Sequence, residues 1–442
     1  RALFRAISKR VPIKIGNDFE IEWMHVTHSI IDSSCIAIKT AAGTMIHTGD
    51  FKIDHTPYDG FPTDIHRLAH YGEEGVLVMT SDSTNSHSPG FTKTEKAVGP
   101  TFERIFATAT GRVIMSTFSS NIHRVAQAIE KALKYGRKIC VIGRSMEKNL
   151  DISMTLGYIK FPKDQFIEAH EINKYTDKEI MIVTTGSQGE SMSALYRMAI
   201  HEHRHVKIKP EDQIILSAKA IPGNEGSVSE IINHLLKAGA KVAYQDFADI
   251  HVSGHAAQEE QKLMLRLVKP KFFLPVHGEY NHALKHGETG VDCGVLERNV
   301  YVMADGEQIE VNPKYLKKVK TVKSGKVYID NQLNHKISDD VVIDRQTMAK
   351  EGIVMIVAQI NENDRTLASK PKVATFGFIS DKQDRFFTNE IEEILNTFLV
   401  NAKPGIFKNS RILEDELRKV VRKHCVRKYK KYPMIVPTIF VQ

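Results

Sequence analysis

The sequence predicts an α/β fold organised around a parallel sheet, and two observations carry that prediction. From about Thr94, apolar runs alternate regularly between strand-like and helix-like segments, the pattern of successive βαβ units. Several strands also end in short polar motifs (SDSTN, TFSSN, TTGSQGE, AKAIPGNE). In sheets of this type, sites form at the carboxyl ends of strands.

Each segment has its own warrant. Residues 19 to 50 read as strands: FEIEWMHVTH, CIAIKT, a turn at Ala42 and Gly43, then TMIHTGD. VLVMTSD, from Val76 to Asp82, is a further strand. Next come RVIMSTF, the helix NIHRVAQAIEKALKYG, KICVIG and a helix near NLDISMTLGYI. EIMIVTTGSQG leads to the helix ESMSALYRMAIHEH, QIILSAK to SVSEIINHLLKAGA, and KVAYQDF closes the series. The run QEEQKLMLRLVKP spaces Leu263, Leu267 and Val268 as one buried helix face, and Phe272, Phe273 and Leu274 form a buried-strand run. Strand-like material is expected after His277 up to about Val327, then a polar connection, IDNQLNHKISDD. The last unit reads as strand IVMIVAQI, strand VATFGFI, helix EIEEILNTFLVNA, a long basic helix and strand MIVPTIFV.

Composition narrows the function classes. With 442 residues the chain has room for two to four domains, and its 42% hydrophobic and 26% charged residues are ordinary for globular protein. A net charge of +8 leans towards a polyanionic partner. The four cysteines, Cys35, Cys140, Cys293 and Cys425, form no CxxC pair. That argues against a Cys-zinc site and for a reducing, cytoplasmic setting. No apolar run approaches the ~18 residues of a membrane span.

The residues that could do chemistry are histidines and aspartates at strand ends. His28 and Asp50 are potential ligands, and His277 in FFLPVHGE could be a third; imidazole and carboxylate suit zinc or manganese alike. Asp82 suits either an outer-shell role or a helix N-cap with Ser83 and Thr84. HVSGH, from His251 to His255, precedes a helix start, so Ser253, Gly254 and the N–H groups around them suit an anion-binding nest or simple capping.

Eight motifs in order (THSIIDSS, HTGDFKID, SDSTN, TFSSNIHR, TTGSQGE, IPGNE, HVSGHAAQEE and PVHGEY) closely resemble the ribonuclease J family, bacterial members of the β-CASP group in the metallo-β-lactamase superfamily. The resemblance implies an αββα metallo-β-lactamase domain (residues 1–93 and 245–330) interrupted by a β-CASP domain (94–244). A linker (331–342) and a small C-terminal α/β domain (343–442) would follow. It further implies two divalent metal ions, zinc or else manganese, held by His28, Asp50 and His277, with Asp50 as the bridge. Asp82 and His255 take catalytic positions. Ser120, Asn121, Ile122, His251, Val252, Ser253, Gly254 and His255 would hold substrate phosphates. The implied activity is RNA hydrolysis, endonucleolytic and 5′-to-3′ exonucleolytic with preference for a 5′-monophosphate. The implied partners are RNA, further copies of the chain through the C-terminal domain (a dimer or tetramer), and other RNA-decay proteins, with no membrane.

The family's HxHxDH segment, which supplies most ligands of the first metal, is not found; residues 1 to 27 contain only His25. The chain is therefore expected to be part of a longer protein, the alternative being an RNA-binding scaffold without catalysis. Near the C-terminus, RILEDELRKVVRKHCVRKYKKYP is acidic early and basic late, with Leu413, Leu417, Val420, Val421 and Val426 as its apolar stripe. A docked helix with a solvated face and a helix that contacts RNA are equally consistent with it.

Overall fold

In the computed structural model, residues 5–244, 249–330 and 335–441 are described. The chain divides into two compact units, Arg1–Lys323 and Ser324–Gln442.

The first unit begins with an antiparallel meander of β1 (Ile13–Ile15), β2 (Phe19–His25), β3 (Ser34–Thr40) and β4 (Gly43–His47). Helix α1 (Ile65–Glu74) returns the chain to β5 (Val78–Asp82), which lies parallel to β4. A second series follows: α2 (Gly99–Thr108), β6 (Val113–Ser116), α3 (Ile122–Lys134), β7 (Lys138–Ile142), α4 (Arg144–Thr155), β8 (Phe166–Ile167), β9 (Ile180–Thr184), α5 (Ala194–Ala199), β10 (Gln213–Leu216), α6 (Glu225–Lys237) and β11 (Lys241–Ala243). Its strands form one six-stranded, wholly parallel sheet in the order β11-β10-β6-β9-β7-β8. The expected parallel sheet is therefore present. Strands β6 and β9 are buried along their length because both faces are covered. Val113, Met115 and Met181 point into the core shared with α2, α3 and α4. Ile114 and Ile182 point into the opposite core with α5 and α6.

The chain then returns to the first sheet through α7 (Gln258–Val268), β12 (Phe272–Val276) and α8 (Tyr280–Asp292). Strand β12 pairs parallel with β5, completing the order β1-β2-β3-β4-β5-β12. A hairpin of β13 (Glu307–Val311) and β14 (Leu316–Thr321) follows. The strand-like stretch expected directly after His277 is thus first a helix, α8. Its glycines hide it from pattern reading, and they are there for close approach. A Cβ on Gly290 would sit 2.6 Å from the Phe273 ring, and one on Gly287 3.2 Å from Val300. Two further expectations shift: α4 starts at Arg144, ahead of the expected Asn149, and α5 spans only Ala194–Ala199. The end of the expected strand KVAYQDF lies outside the described residues.

The second unit contains a two-stranded pair, β15 (Ile329–Asp330) and β16 (His335–Lys336), then α9 (Asp339–Glu351), an unexpected helix. Part of the expected linker, residues 331–334, lies outside the described residues. Next come β17 (Ile353–Asn361), β18 (Thr366–Leu367), β19 (Lys372–Phe376), α10 (Asp381–Asn401), α11 (Ser410–Tyr429) and β20 (Met434–Val441). Strand β17 pairs antiparallel with β18 and β19 and parallel with β20. It sends Val354, Ile356, Ala358 and Ile360 into a core with Leu413, Leu417, Val421 and Cys425 of α11. The apolar stripe of α11 is corrected here: Cys425 is in it, whereas Val420 is 38% exposed. The basic residues Arg422, Lys423 and Arg427 face solvent. Among the described residues no helix is long and apolar enough to cross a membrane.

Candidate metal centre

Three strand ends of the mixed sheet meet at one place. Past β4, Gly49 turns with φ +60° and presents Asp50. Strand β5 ends on Asp82, whose register partner on β12 is Val276, so His277 stands one residue further out. His277 itself adopts a left-handed φ of 59°, which swings its ring back over the strand ends. The loop from His251 to α7 brings in His255, and the segment after β2 brings in His28.

Asp50, Asp82, His255 and His277 each place one ligand-type atom within 4.8 Å of the others. His28 stacks edge-on against His255 at 4.9 Å, and His255 lies over His277 at 5.5 Å. Hydrogen bonding separates these residues into two kinds. Asp82, 2% exposed, is fully engaged. Its Oδ1 accepts the Thr84 N–H (3.0 Å) and hydroxyl (2.7 Å), and its Oδ2 accepts the His255 Nδ1–H at 2.6 Å. The His277 Nδ1–H points at the Thr84 hydroxyl (2.7 Å) and at Asp82 Oδ1 (3.3 Å). The His28 Nδ1 must carry a proton, because its partner at 2.8 Å is the Gly254 carbonyl.

That assignment puts a lone pair on Nε2 of both His28 and His277, and both face Asp50; the lone pair of His28 also accepts the Ser29 hydroxyl at 3.2 Å. His28 Nε2 lies 3.9 Å from Asp50 Oδ2 and His277 Nε2 lies 3.7 Å from Oδ1. Two imidazole lone pairs flanking the two oxygens of one carboxylate are the kind of donor set that would suit a divalent metal. Outer hydrogen bonds that fix the ligand tautomers are what such sites require. The chemistry of these donors fits a divalent metal ion, which Asp50, His28 and His277 would help to hold. Gly254 is essential to this packing: a Cβ there would meet His28 Cε1 at 2.7 Å.

Electrostatics follow the same division. Burial would raise the Asp82 carboxyl, but the hydrogen bonds of His255 and His277 outweigh it and hold the group well below the usual carboxylate range. His277 is raised, chiefly by its hydrogen bond to Asp82. His28 is lowered by burial.

The other residues expected to hold phosphate divide by exposure. Asn121 caps α3, its side chain accepting the Arg124 N–H at 3.2 Å. Ile122 and Val252 are buried, so only their backbone could meet a ligand, while Ser120 is half-buried. The Ser253 hydroxyl accepts both Asn85 Nδ2 (2.8 Å) and the His255 N–H (3.1 Å). The His251 ring is pushed down to about 3, by burial and then by Arg124, and so is neutral at pH 7.

Residues missed by sequence reading hold these loops in place. Arg124, fully buried, donates to both oxygens of Glu95 (2.5 and 2.9 Å), to the Val252 carbonyl (3.0 Å), and to Ser217 and His251. It therefore ties the parallel sheet to the HVSGH loop. Glu260 of α7, also fully buried, accepts the N–H groups of Ile53 (2.7 Å), Thr92 (2.6 Å) and Ala257 (2.9 Å). Arg124 stands three residues past Asn121 and Glu260 five past His255, and nothing local in the sequence marks their distant partners.

Comparison with known proteins identifies the family. Residues 110–235 match the model for the ribonuclease J β-CASP domain. Residues 239–302 match that for the Zn-dependent metallo-hydrolase RNA specificity domain, and 340–441 that for the ribonuclease J C-terminal domain. The chain is 57% identical over 436 residues to the ribonuclease J of Helicobacter pylori strain 26695, an alignment covering 99% of the chain and 63% of that relative. The chain thus spans less than two thirds of the length of this relative. It is 38% identical to ribonuclease J 1 of Streptococcus pyogenes serotype M3 (96% of the chain, 75% of the relative). It is 36% identical to ribonuclease J of Thermus thermophilus (98% and 74%). With the β-CASP, metallo-hydrolase and C-terminal models all matched in order along a mixed α/β chain, the protein belongs to the ribonuclease J family.

Proposed function

We propose that this chain carries part of the active centre of a metal-dependent ribonuclease that hydrolyses RNA phosphodiesters. The action would be endonucleolytic and 5′-to-3′ exonucleolytic with preference for a 5′-monophosphate, in RNA maturation and mRNA decay. The observation that carries this reading is the pair of Nε2 lone pairs, on His28 and His277, that face the two oxygens of Asp50.

Asp50, His28 and His277 would help to hold a divalent metal pair, zinc or manganese, which would supply Lewis-acid stabilisation of the phosphate and activate water at neutral pH. The chain's own residues do the rest. Asp82 fixes the Nδ1–H of His255, so His255 Nε2 is the atom that exchanges a proton with substrate. In its doubly protonated form the ring would give its Nε2 proton to the departing 3′ oxygen as the P–O3′ bond breaks, leaving the neutral Nδ1–H ring held by Asp82. The Ser253–Gly254 turn and the start of α3 (Ser120, Asn121, Ile122) would offer N–H and hydroxyl donors to flanking phosphates. The remaining parts of the reading are a cytoplasmic setting, a dimer or tetramer assembled through the C-terminal domain, and contact with other RNA-decay proteins.

The test uses the full-length protein with RNA bearing a 5′-monophosphate, a 5′-triphosphate or a 5′-hydroxyl. Cleavage should stop with chelator and return with Zn2+ or Mn2+, fastest on the monophosphate. His255→Ala should lower turnover by roughly 10²- to 10⁴-fold, the usual worth of a general acid, with the fold intact. RNA binding without cleavage, indifferent to chelator, would instead identify a scaffold.

A further inference from the structure

Behind the cluster lies a histidine that neither the metal nor the substrate reading uses. We propose that His286 of α8 is a positioning residue for the metal ligands, acting through Ser83. The inference rests on the metal-centre reading above.

His286 is fully buried, its ring set edge-on against Phe273 at 4.9 Å and 73°. Its Nδ1 lies 3.0 Å from the hydroxyl of Ser83, another fully buried residue. Its Nε2 has no protein partner among the described residues. Burial keeps the ring neutral, so it carries a single proton. Placed on Nδ1, that proton goes to Ser83 Oγ, whose own hydrogen can reach the Ser81 carbonyl at 3.4 Å. Only a lone pair is then left without a protein partner. The other tautomer would leave an N–H donor in that state, the costlier choice.

Ser83 is the residue through which such an interaction can matter. It stands between Asp82 and Thr84, the two side chains that fix the Nδ1–H atoms of His255 and His277. Its N–H donates to the carbonyls of Val276 (2.9 Å) and His277 (3.3 Å), tying the turn to the end of β12. His286 sits on the helix that follows that same strand. The Asp82–Thr84 turn is thus gripped from the front by its backbone and from behind by His286. An apolar residue of equal size would fill the space against Phe273 without leaving Nε2 in the core. What the imidazole adds is the hydrogen bond to Ser83.

The experiment uses metal-stripped, full-length protein, titrated calorimetrically with MnCl2 alone, and then turnover on RNA. His286→Phe keeps the ring volume and removes the hydrogen bond, Ser83→Ala removes it from the other side, and His286→Asn restores a donor near Nδ1. Outer-shell partners of metal ligands are worth roughly 10- to 100-fold in affinity. We therefore expect Mn2+ binding about 10-fold or more weaker in His286→Phe and Ser83→Ala, with no further loss in the double variant. The kcat should fall while KM for RNA holds, and His286→Asn should recover most of both. Mn2+ affinity equal to wild type in a folded His286→Phe, or in Ser83→Ala if the former does not fold, overturns the proposal. Wild-type protein that binds no Mn2+ sinks the metal-centre reading and this inference together. Tight wild-type binding with unaffected variants sinks this inference alone.

Discussion

The two sheets of the first unit both end in functional-looking polar residues, yet those residues differ in kind. The mixed sheet ends in Asp50, Asp82 and His277, with His28 and His255 beside them, and two imidazole lone pairs there face the Asp50 carboxylate. The parallel sheet ends in serine, threonine and asparagine beside a buried arginine; the Thr117 hydroxyl is spent on the Ser217 carbonyl and the Asn121 oxygen on the α3 cap, which leaves Ser120 as a half-buried hydroxyl of the group. Lone pairs suit a cation and donors suit an anion. On the proposed reading a metal–phosphate assembly would draw on both, from two halves that Arg124 joins.

The sharpest way to break this comparison is to remove the one carboxylate both imidazoles face. Asp50→Ala should abolish metal binding, seen by calorimetry, and lower RNA turnover by about 10³-fold or more, since metal stabilisation is worth several kcal/mol. RNA affinity should survive, because the donor-rich half is untouched. Loss of both in parallel would mean that the two halves do not divide the work.

Next comes the joint. Arg124→Met strips Glu95, 4% exposed, of its two short hydrogen bonds to a cation and leaves it only the Lys52 ammonium at 4.0 Å. Breaking a buried pair in this way typically costs about 3–5 kcal/mol, readable as a lower denaturation midpoint. RNA affinity should fall as well, because the HVSGH loop loses the donor to its Val252 carbonyl.

How much of this was legible beforehand follows from which interactions are local. The parallel sheet was legible because each βαβ unit repeats a pattern visible within some 30 residues. His28, Asp50, Asp82, His255 and His277 were legible as strand-end polar residues and through the family resemblance, and the structure brings all five together. Helix α8 was not, because Gly287 and Gly290 serve tertiary contacts with Val300 and Phe273 and erase the helical signature. Arg124, Glu260 and His286 were not legible either. Each acts on a partner far along the chain, such as Ser83 203 residues from His286, and a single sequence does not disclose such pairs.

The frames of the two halves differ as their sites do. The parallel sheet is braced by buried arginines, with Arg137 donating to the carbonyls of Gly111, Ala109 and Ile180. The mixed sheet is braced by a carboxylate: Glu22, 2% exposed, accepts Arg67 at 2.7 Å on each oxygen and the Tyr71 hydroxyl. The Arg67 hydrogen bond, outweighing burial, holds the Glu22 carboxyl below its ordinary value. Its contribution is therefore present above the unfolded value of about 4.3 and is lost as pH falls through the lower folded value. Glu22→Gln should cost about 1.5–3 kcal/mol at pH 7, the range for hydrogen bonds to a charged group. The gap to wild type should close in urea titrations at progressively lower pH. A gap that persists in acid would contradict the carboxylate as the brace.

A smaller probe leaves every donor in place. Gly254→Ala forces a Cβ against His28 Cε1, and overpacking of this kind costs about 1–3 kcal/mol. Displacement of His28 should weaken metal binding while RNA affinity changes little. Unchanged metal affinity would show that His28 is not a ligand.

The smallest effect tests whether phosphate affinity belongs to the parallel half alone. In the second unit α11 exposes Arg422, Lys423 and Arg427 on the side away from Leu413, Leu417, Val421 and Cys425. Reversing all three charges leaves that core intact, so stability should move within about 0.5 kcal/mol, as for surface substitutions generally. If α11 touches RNA, affinity drops and the salt dependence flattens by about one log–log unit for each phosphate no longer neutralised. A titration at several salt concentrations reads this directly. An unchanged slope would mean that these cations are only a solvated helix face, and that the donors around Ser253 and Asn121 carry the phosphates without them.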